Sequence, residues 1–340
     1  MTRPAISIAM CTYNGSRFLP AQLRSIAAQH RLPDELVICD DDSSDDTPSI
    51  LAQFVLSAPF RVRVIRNDRR LGSTRNFQNA ISLCHGDIVA LADQDDVWYP
   101  QKLARLAAAF TPESVAVFSD ADLIDSDSHP LHSRLWNSYC FGSGDQHLFA
   151  AGRALSVLIK HPVVTGATLA FRKSLDNVLL PIPAEHVHDF WISFLLAACG
   201  RIHVIPEPLL QYRQHASQQI GPGQSRFRDR LAQARKTGSA HYQSEIAKFR
   251  LLRDRVEQHR ANIVHSEIAL QEIDRKVAHL RHRANLSQLP GQRVRGVLRE
   301  ILNGGYSRYS EGWQSIAKDL LGPVRDDLAQ HRVPKGVMLH

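Results

Sequence analysis

Short apolar runs, each followed by an amphipathic stretch, repeat through the first 125 positions of this 340-residue chain. The pattern predicts strands at 6–11, 36–39, 62–65, 88–91 and 115–118. It predicts helices between them over 18–29, 47–54 and 73–83. Leu19, Leu23 and Ile26 share one face of the first, while Thr47 as cap and Pro48 in the first turn open the second. Strands alternating with helices of this length point to a largely parallel sheet covered on its faces. Positions 126–160 carry no clean period, with a helix expected from Gly152 onward. Beyond them the pattern predicts a strand at 166–171, a helix at 189–198 that Asp189 would cap, and short strands at 201–205 and 209–212. After Gly223 the period lengthens to helices at 227–236, 242–260 and 263–283, a break at Gly304-Gly305-Tyr306, and a helix at 309–321. The expected division is an α/β domain at 1–224 and a basic helical accessory region at 225–340.

Charge sharpens that division. Residues 1–225 hold 19 Lys/Arg against 22 Asp/Glu, whereas residues 226–340 hold 22 against 12. Such asymmetry suits an anionic lipid face or acidic carbohydrate; nucleic acid is not expected, because the arginines lack interleaved aromatics. No apolar run reaches the roughly 18 to 20 residues that cross a bilayer. The start, Met1-Thr2-Arg3-Pro4, runs straight into a strand pattern and leaves no room for a secretory leader. The expectation is a cytoplasmic protein, peripheral on the inner face of the plasma membrane, whose basic region docks there, packs over the first domain or forms a homodimer. Cys11, Cys39, Cys84, Cys140 and Cys199 are spaced for neither metal nor disulfide and are expected as small buried groups.

The chemistry lies where the predicted strands end. Cys11-Thr12-Tyr13-Asn14, Asp40-Asp41-Asp42, Asn67 to Gly72, Asp93-Gln94-Asp95-Asp96 and Asp120-Ala121-Asp122 would share one rim, where open α/β sheets bind ligands. Asp93 and Asp95, two apart, suit a shared divalent cation that bridges phosphate oxygens, or else a solvated turn. Asp40 and Asp41 suit a ribose hydroxyl or base N–H, or a local turn. A calcium loop starting at Asp40 fails, with Asp45 at its sixth position and Leu51 at its twelfth. The helix start after Gly72, beside Arg66, Arg69 and Arg70, suits an anion. Asp189, before an apolar run, is a helix cap or a general base whose pKa burial raises. His215 is a candidate metal ligand or an ordinary surface histidine. No Walker or Rossmann glycine loop occurs, which disfavours kinases and NAD enzymes.

Taken in order, Ser7 to Gly15, Pro33 to Asp41, Leu91 to Trp98, Thr165 to Thr168, His188 to Trp191 and Tyr212 to His215 resemble inverting family 2-type glycosyltransferases. The likeness covers about residues 5–220 and is greatest to bacterial rhamnosyltransferases of cell-surface polysaccharide synthesis. It implies an A-type glycosyltransferase fold: a single Rossmann-like mixed sheet flanked by helices, with a C-terminal helical appendage. It implies that Thr12, Tyr13 and Asp40 contact the nucleoside, Asp41 supports the turn, and Gly72, Arg75 and Asn76 close over the nucleotide. Asp93 would approach the ribose or diphosphate, Asp95 and His215 would hold Mg2+ or Mn2+, and Asp189 would be the base. The implied donor is a nucleoside-diphosphate sugar, dTDP-rhamnose or a UDP-sugar, and the acceptor a glycan or lipid-linked hydroxyl. Two family glycines are replaced by Asp42 and Asp46, so these acids must face away from a diphosphate. A nucleotidyltransferase and a noncatalytic carbohydrate-binding module are the competing readings.

Overall fold

Strands β1 (Ile6–Thr12), β2 (Glu35–Asp40) and β4 (Ile88–Ala92) are almost continuously buried, which is why they read as unbroken apolar runs. The structure, a computed structural model, describes residues 3–215 and 239–321. Between these strands lie α1 (Leu19–Ala27), α2 (Thr47–Ser57), β3 (Arg61–Arg66) and α3 (Ser73–Ser82). Then come β5 (Val97–Trp98), α4 (Lys102–Ala109), β6 (Ser114–Ile124) and β7 (Pro130–Arg134). Short helices α5 (Leu135–Ser138), α6 (Ser143–Ala150) and α7 (Ala154–Leu158) fill the stretch that had no clean period. β8 (Leu169–Arg172), α8 (Asp176–Leu179), α9 (His188–Cys199) and β9 (Arg201–Arg213) complete the sheet region.

The sheet order is β3-β2-β1-β4-β8-β6-β9-β5, with β7 paired to β6. β1 to β4 are parallel, β8 is antiparallel to both β4 and β6, and β6 and β9 run parallel. The sheet is therefore mixed, and the carboxyl ends of β1, β2, β4 and β9 share one rim. Only residues 93–96 separate β4 from β5, although three strands lie between them in the sheet. A flat sheet would need about 19 Å for that crossing at the usual strand spacing, whereas so short a loop reaches about 17 Å at most. The sheet curls to close the gap.

On one side, Ile8, Met10, Leu36, Ile38, Ile88 and Ala90 pack with Leu19, Leu23 and Ile26 of α1, and with Leu103 and Leu106 of α4. Each of the isoleucine, leucine and methionine side chains contributes roughly 1.5–3 kcal/mol of transfer free energy.

Several expected elements differ. Thr47 is the first residue of α2 rather than its cap; its hydroxyl accepts from the Gly15 amide at 2.9 Å while Asp45 accepts from the Thr47 amide. β6 runs past Asp120 and Asp122 because β9 pairs along its whole length, so these acids do not end a strand. The buried Asp120 instead accepts from the Trp136 amide. Positions 201–213 form one strand, and residues 166–168 are a 3-10 turn before β8. The helix expected at 227–236 lies outside the described residues.

The described residues form two compact units, 3–215 with 248–275, and 239–247 with 276–321. The first thus extends beyond the expected boundary at residue 224. Arg255, on the helix Ser239–Gln258, donates to the Leu180 and Pro181 carbonyls, and Phe249 packs edge-on against Phe190.

The second unit contains the end of the helix Ser266–Ala284 and the helices Pro290–Leu302, Gly305–Tyr309 and Trp313–Leu321. Its interior sets a polar cluster beside the buried Ile246, Val277, Leu280 and Val297. Asp319 accepts from Arg283 Nε at 2.7 Å and Nη2 at 3.0 Å, from the Tyr306 hydroxyl at 2.7 Å and from the Tyr242 hydroxyl at 3.2 Å. His279 bridges Glu300 and Ser310 at 2.6 and 2.7 Å.

Cys39, Cys84 and Cys199 are buried as expected; Cys11 is half-buried and Cys140 is exposed, and all five are free thiols.

Candidate active site

At the rim a cleft of about 880 Å³ opens, lined by Thr12, Tyr13, Asp41, Asn76, Asp93, Asp95, Asp189 and His215 among others. Asp189 and the acids after β4 thus face one space. Three expected residues do not line it. Asp40 is buried and consumed locally, accepting from the Thr12 hydroxyl at 2.8 Å, the Ser43 hydroxyl at 2.6 Å and the Ser43 amide at 3.0 Å. Gly72 sits at a φ of 85° before α3 with its amide turned to Asp41, and Arg75 is exposed on the helix. The neighbouring Ser73 and Arg70 line the cleft instead, Arg70 stacking over the Tyr13 ring at 4.0 Å.

Asp41 pins the 67–72 loop. One oxygen accepts from Asn67 Nδ2 and the Leu71 amide at 2.9 and 2.7 Å, the other from the Gly72 amide at 2.8 Å. The amino end of α3, expected to receive an anion, already holds this one. Asn76 continues the lattice, accepting from Asn67 and donating to the Cys39 carbonyl.

The substituted acids face elsewhere. Asp42 takes a φ of 62° and pairs with Arg66 at 3.0 Å, Asp46 is exposed, and neither lines the cleft.

The loop 93–96 is fixed by residues that the sequence did not single out. Gln94 accepts from the Tyr13 amide at 2.8 Å and donates to its carbonyl at 3.0 Å, while Gln22 donates to the Asp93 carbonyl. Any side chain on Gly15 would meet Gln94 Oε1 at 2.2 Å, so the clasp requires glycine there. The buried Arg213 donates from Nε to the Asp95 carbonyl and from its amide to Asp96 Oδ1. No sequence pattern announces a glutamine that both gives and takes, or an arginine directed at carbonyls.

Asp95 Oδ2 lies 2.8 Å from His215 Nε2, with Phe18 against the imidazole at 4.9 Å. Among the described residues no three His, Cys, Asp or Glu side chains gather as a metal cage. The pair nonetheless suits a hard divalent cation, because adjacent ligands of an octahedral ion stand about 3 Å apart.

Negative charge is crowded here. Burial, Asp95 and Asp189 together push the Asp93 carboxyl up to about 7. The buried Lys102, held over Trp98 and donating to the Ala167 carbonyl, is pulled down to about 7 by burial, against Asp96 and Asp93.

Asp189 departs from expectation. Val187 occupies the N-cap position, so Asp189 is not the cap. Burial pushes its carboxyl up, but His188 and the Gly166 amide outweigh burial and hold it below its ordinary value. His188 Nε2 stands 2.6 Å from Asp189 Oδ1, as a charge contact rather than an aligned hydrogen bond. Burial lowers the His188 pKa, and Asp189 and Asp93 reverse that to a net rise. Phe77 stacks on the imidazole at 4.1 Å. A side chain on Gly166 would lie 2.6 Å from Asp189 Oδ1, so this glycine makes room for the acid.

Comparison with known proteins follows the same lines. Residues 7–180 match the family described as Glycosyl transferase family 2, and the chain belongs to it. The sheet is the A-type glycosyltransferase fold. An uncharacterized glycosyltransferase of Nostoc sp., alr2836, is 28% identical over 62% of this chain, which spans 65% of that relative's length. The dTDP-rhamnosyl transferase RfbG of Shigella flexneri is 26% identical over 71% of this chain and 83% of its own. The crystal structure of S. aureus TarS 1-349 superposes with a TM-score of 0.54 at 14% identity, covering 93% of this chain and 89% of that one.

Proposed function

We propose that this chain is an inverting glycosyltransferase that moves a sugar from a nucleoside-diphosphate donor to a hydroxyl of a cell-surface glycan or lipid-linked acceptor. The carrying observation is the single cleft that gathers Asp93, Asp95 and Asp189. Asp189, held ionised beside His188, takes the proton from the acceptor hydroxyl as its oxygen attacks the anomeric carbon. The bond from that carbon to the diphosphate breaks on the opposite face, so the configuration inverts. Tyr13 and Thr12 face the nucleoside, and the lattice under Asp41 and Asn76 keeps the floor in place. Asp95 and His215 would hold a divalent cation, Mg2+ or Mn2+, which would supply positive charge against the departing diphosphate.

The name of the Shigella relative supports dTDP-rhamnose as the first donor to try, with UDP-sugars as the comparison. Chain order supports residues 1–224 as the catalytic domain and 225–340 as the accessory region, of which residues 248–275 fall in the same compact unit as the sheet.

The test is Asp189→Ala. Transfer should fall about 10²- to 10⁴-fold while calorimetric nucleotide binding stays within a few-fold. Normal turnover in this variant removes the assigned base, and release of pyrophosphate from a nucleoside triphosphate plus a sugar phosphate would indicate a nucleotidyltransferase instead.

A further inference from the structure

The helix Pro290–Leu302 is built inside out. Arg293 and Glu300 are buried with Val297, Arg293 donating to the Asp319 carbonyl and Glu300 meeting His279. Val294, Leu298, Ile301 and Leu302 are exposed, Leu298 by 52% and Leu302 by 87%. Their spacing of four, seven and eight residues places all of them on one stripe of the helix. Single exposed leucines are ordinary on protein surfaces, but a contiguous stripe on a helix whose inward face carries Arg293 and Glu300 marks a surface that meets an apolar neighbour. Arg295 and Arg299, both exposed and four residues apart, border the stripe on its solvent side. Residues 226–340 as a whole carry ten more basic than acidic residues.

We propose that this helix face is a docking surface for a bilayer bearing anionic headgroups, independently of which sugar the cleft transfers. An apolar stripe edged by arginines matches the boundary where acyl chains begin and acidic headgroups end, and a helix lying there sinks about 5–10 Å. A second copy is the poorer occupant, because an antiparallel two-fold contact through the stripe would set its arginine edges side by side. No helix among the described residues is long and apolar enough to cross a membrane, so the contact is made by lying on the surface.

The full chain is sedimented with vesicles of phosphatidylcholine alone and of phosphatidylcholine with phosphatidylglycerol. Binding should appear only with the anionic lipid and weaken as salt rises. Leu298→Glu and the double variant Arg295→Glu/Arg299→Glu should each lower partitioning by about tenfold with an unchanged melting temperature. Three results overturn the proposal. In the first, the wild-type chain stays in the supernatant with anionic vesicles, or both variants bind as it does. In the second, L298E lowers the melting temperature by several degrees, which would mean that the chain itself covers the face. In the third, L298E splits a dimer in light scattering while vesicle binding is unmoved, which would assign the face to a second copy.

Discussion

Gly166 has no side chain, yet it sets the position of the acid assigned as base. A methyl group there would stand 2.6 Å from Asp189 Oδ1 and 3.1 Å from His188 Nε2, so Gly166→Ala must displace the carboxylate. Catalytic geometry tolerates little displacement; kcat should drop about 10²-fold with KM for the donor nearly unchanged, as steady-state kinetics would show. Asp41 lends itself to a different test. Its carboxylate fills the amide cradle before α3, so Asp41→Ala should open a place for inorganic anions. Sulfate should then inhibit the variant at concentrations that leave the parent untouched. The convergence of Asp93, Asp95, Asp189 and His215 on one cleft was legible in the sequence as acids and an imidazole near element ends. The low pKa of Asp189 was not, because it depends on the contact with His188 and on a glycine 23 positions earlier.

At the scale of elements, the head of α2 shows how local hydrogen bonding departs from pattern. Asp45, not Thr47, holds the turn, accepting from the Ser16 and Thr47 amides. Burial pushes its carboxyl up, and hydrogen bonds from the side chains and amides of Thr47 and Ser16 together outweigh it and bring the pKa down to about 2 from an ordinary 3.8. A depressed folded-state pKa means stabilisation that is complete above 3.8 and is lost as the pH falls through about 2. Asp45→Asn should therefore melt lower than the parent at pH 7, with the gap closing between pH 4 and pH 2 in thermal scans. β1, β2 and β4 were readable because both their faces are buried, leaving apolar runs with polar rims. β6 and β9 were underestimated because their outer halves alternate polar and apolar residues and carry Asp120, Asp122 and Pro208. The antiparallel insertion of β8 leaves no trace in a single strand's composition, since direction is decided by the partner.

Across the whole molecule, two compact units rest on different physics. The sheet unit is built on aliphatic packing, whereas the helical unit adds a buried ionic cluster around Asp319 to its apolar contacts. Asp319→Ala would strand Arg283 without its carboxylate partner in the interior, costing about 3–5 kcal/mol. Hydrogen exchange should show residues 276–321 losing protection while β1 and β4 keep theirs. The periodicity that revealed helices here said nothing of which face turns inward, because Arg293 and Glu300 reverse the usual assignment. In the sheet unit, the four-residue crossing from β4 to β5 restricts how the chain can vary. Elsewhere an insertion would simply bulge into solvent. At this crossing an added residue would slacken the span that draws the sheet's far edge inward, and a deleted one could not reach it, so both the curvature and the acids on the span are tied to one fixed length.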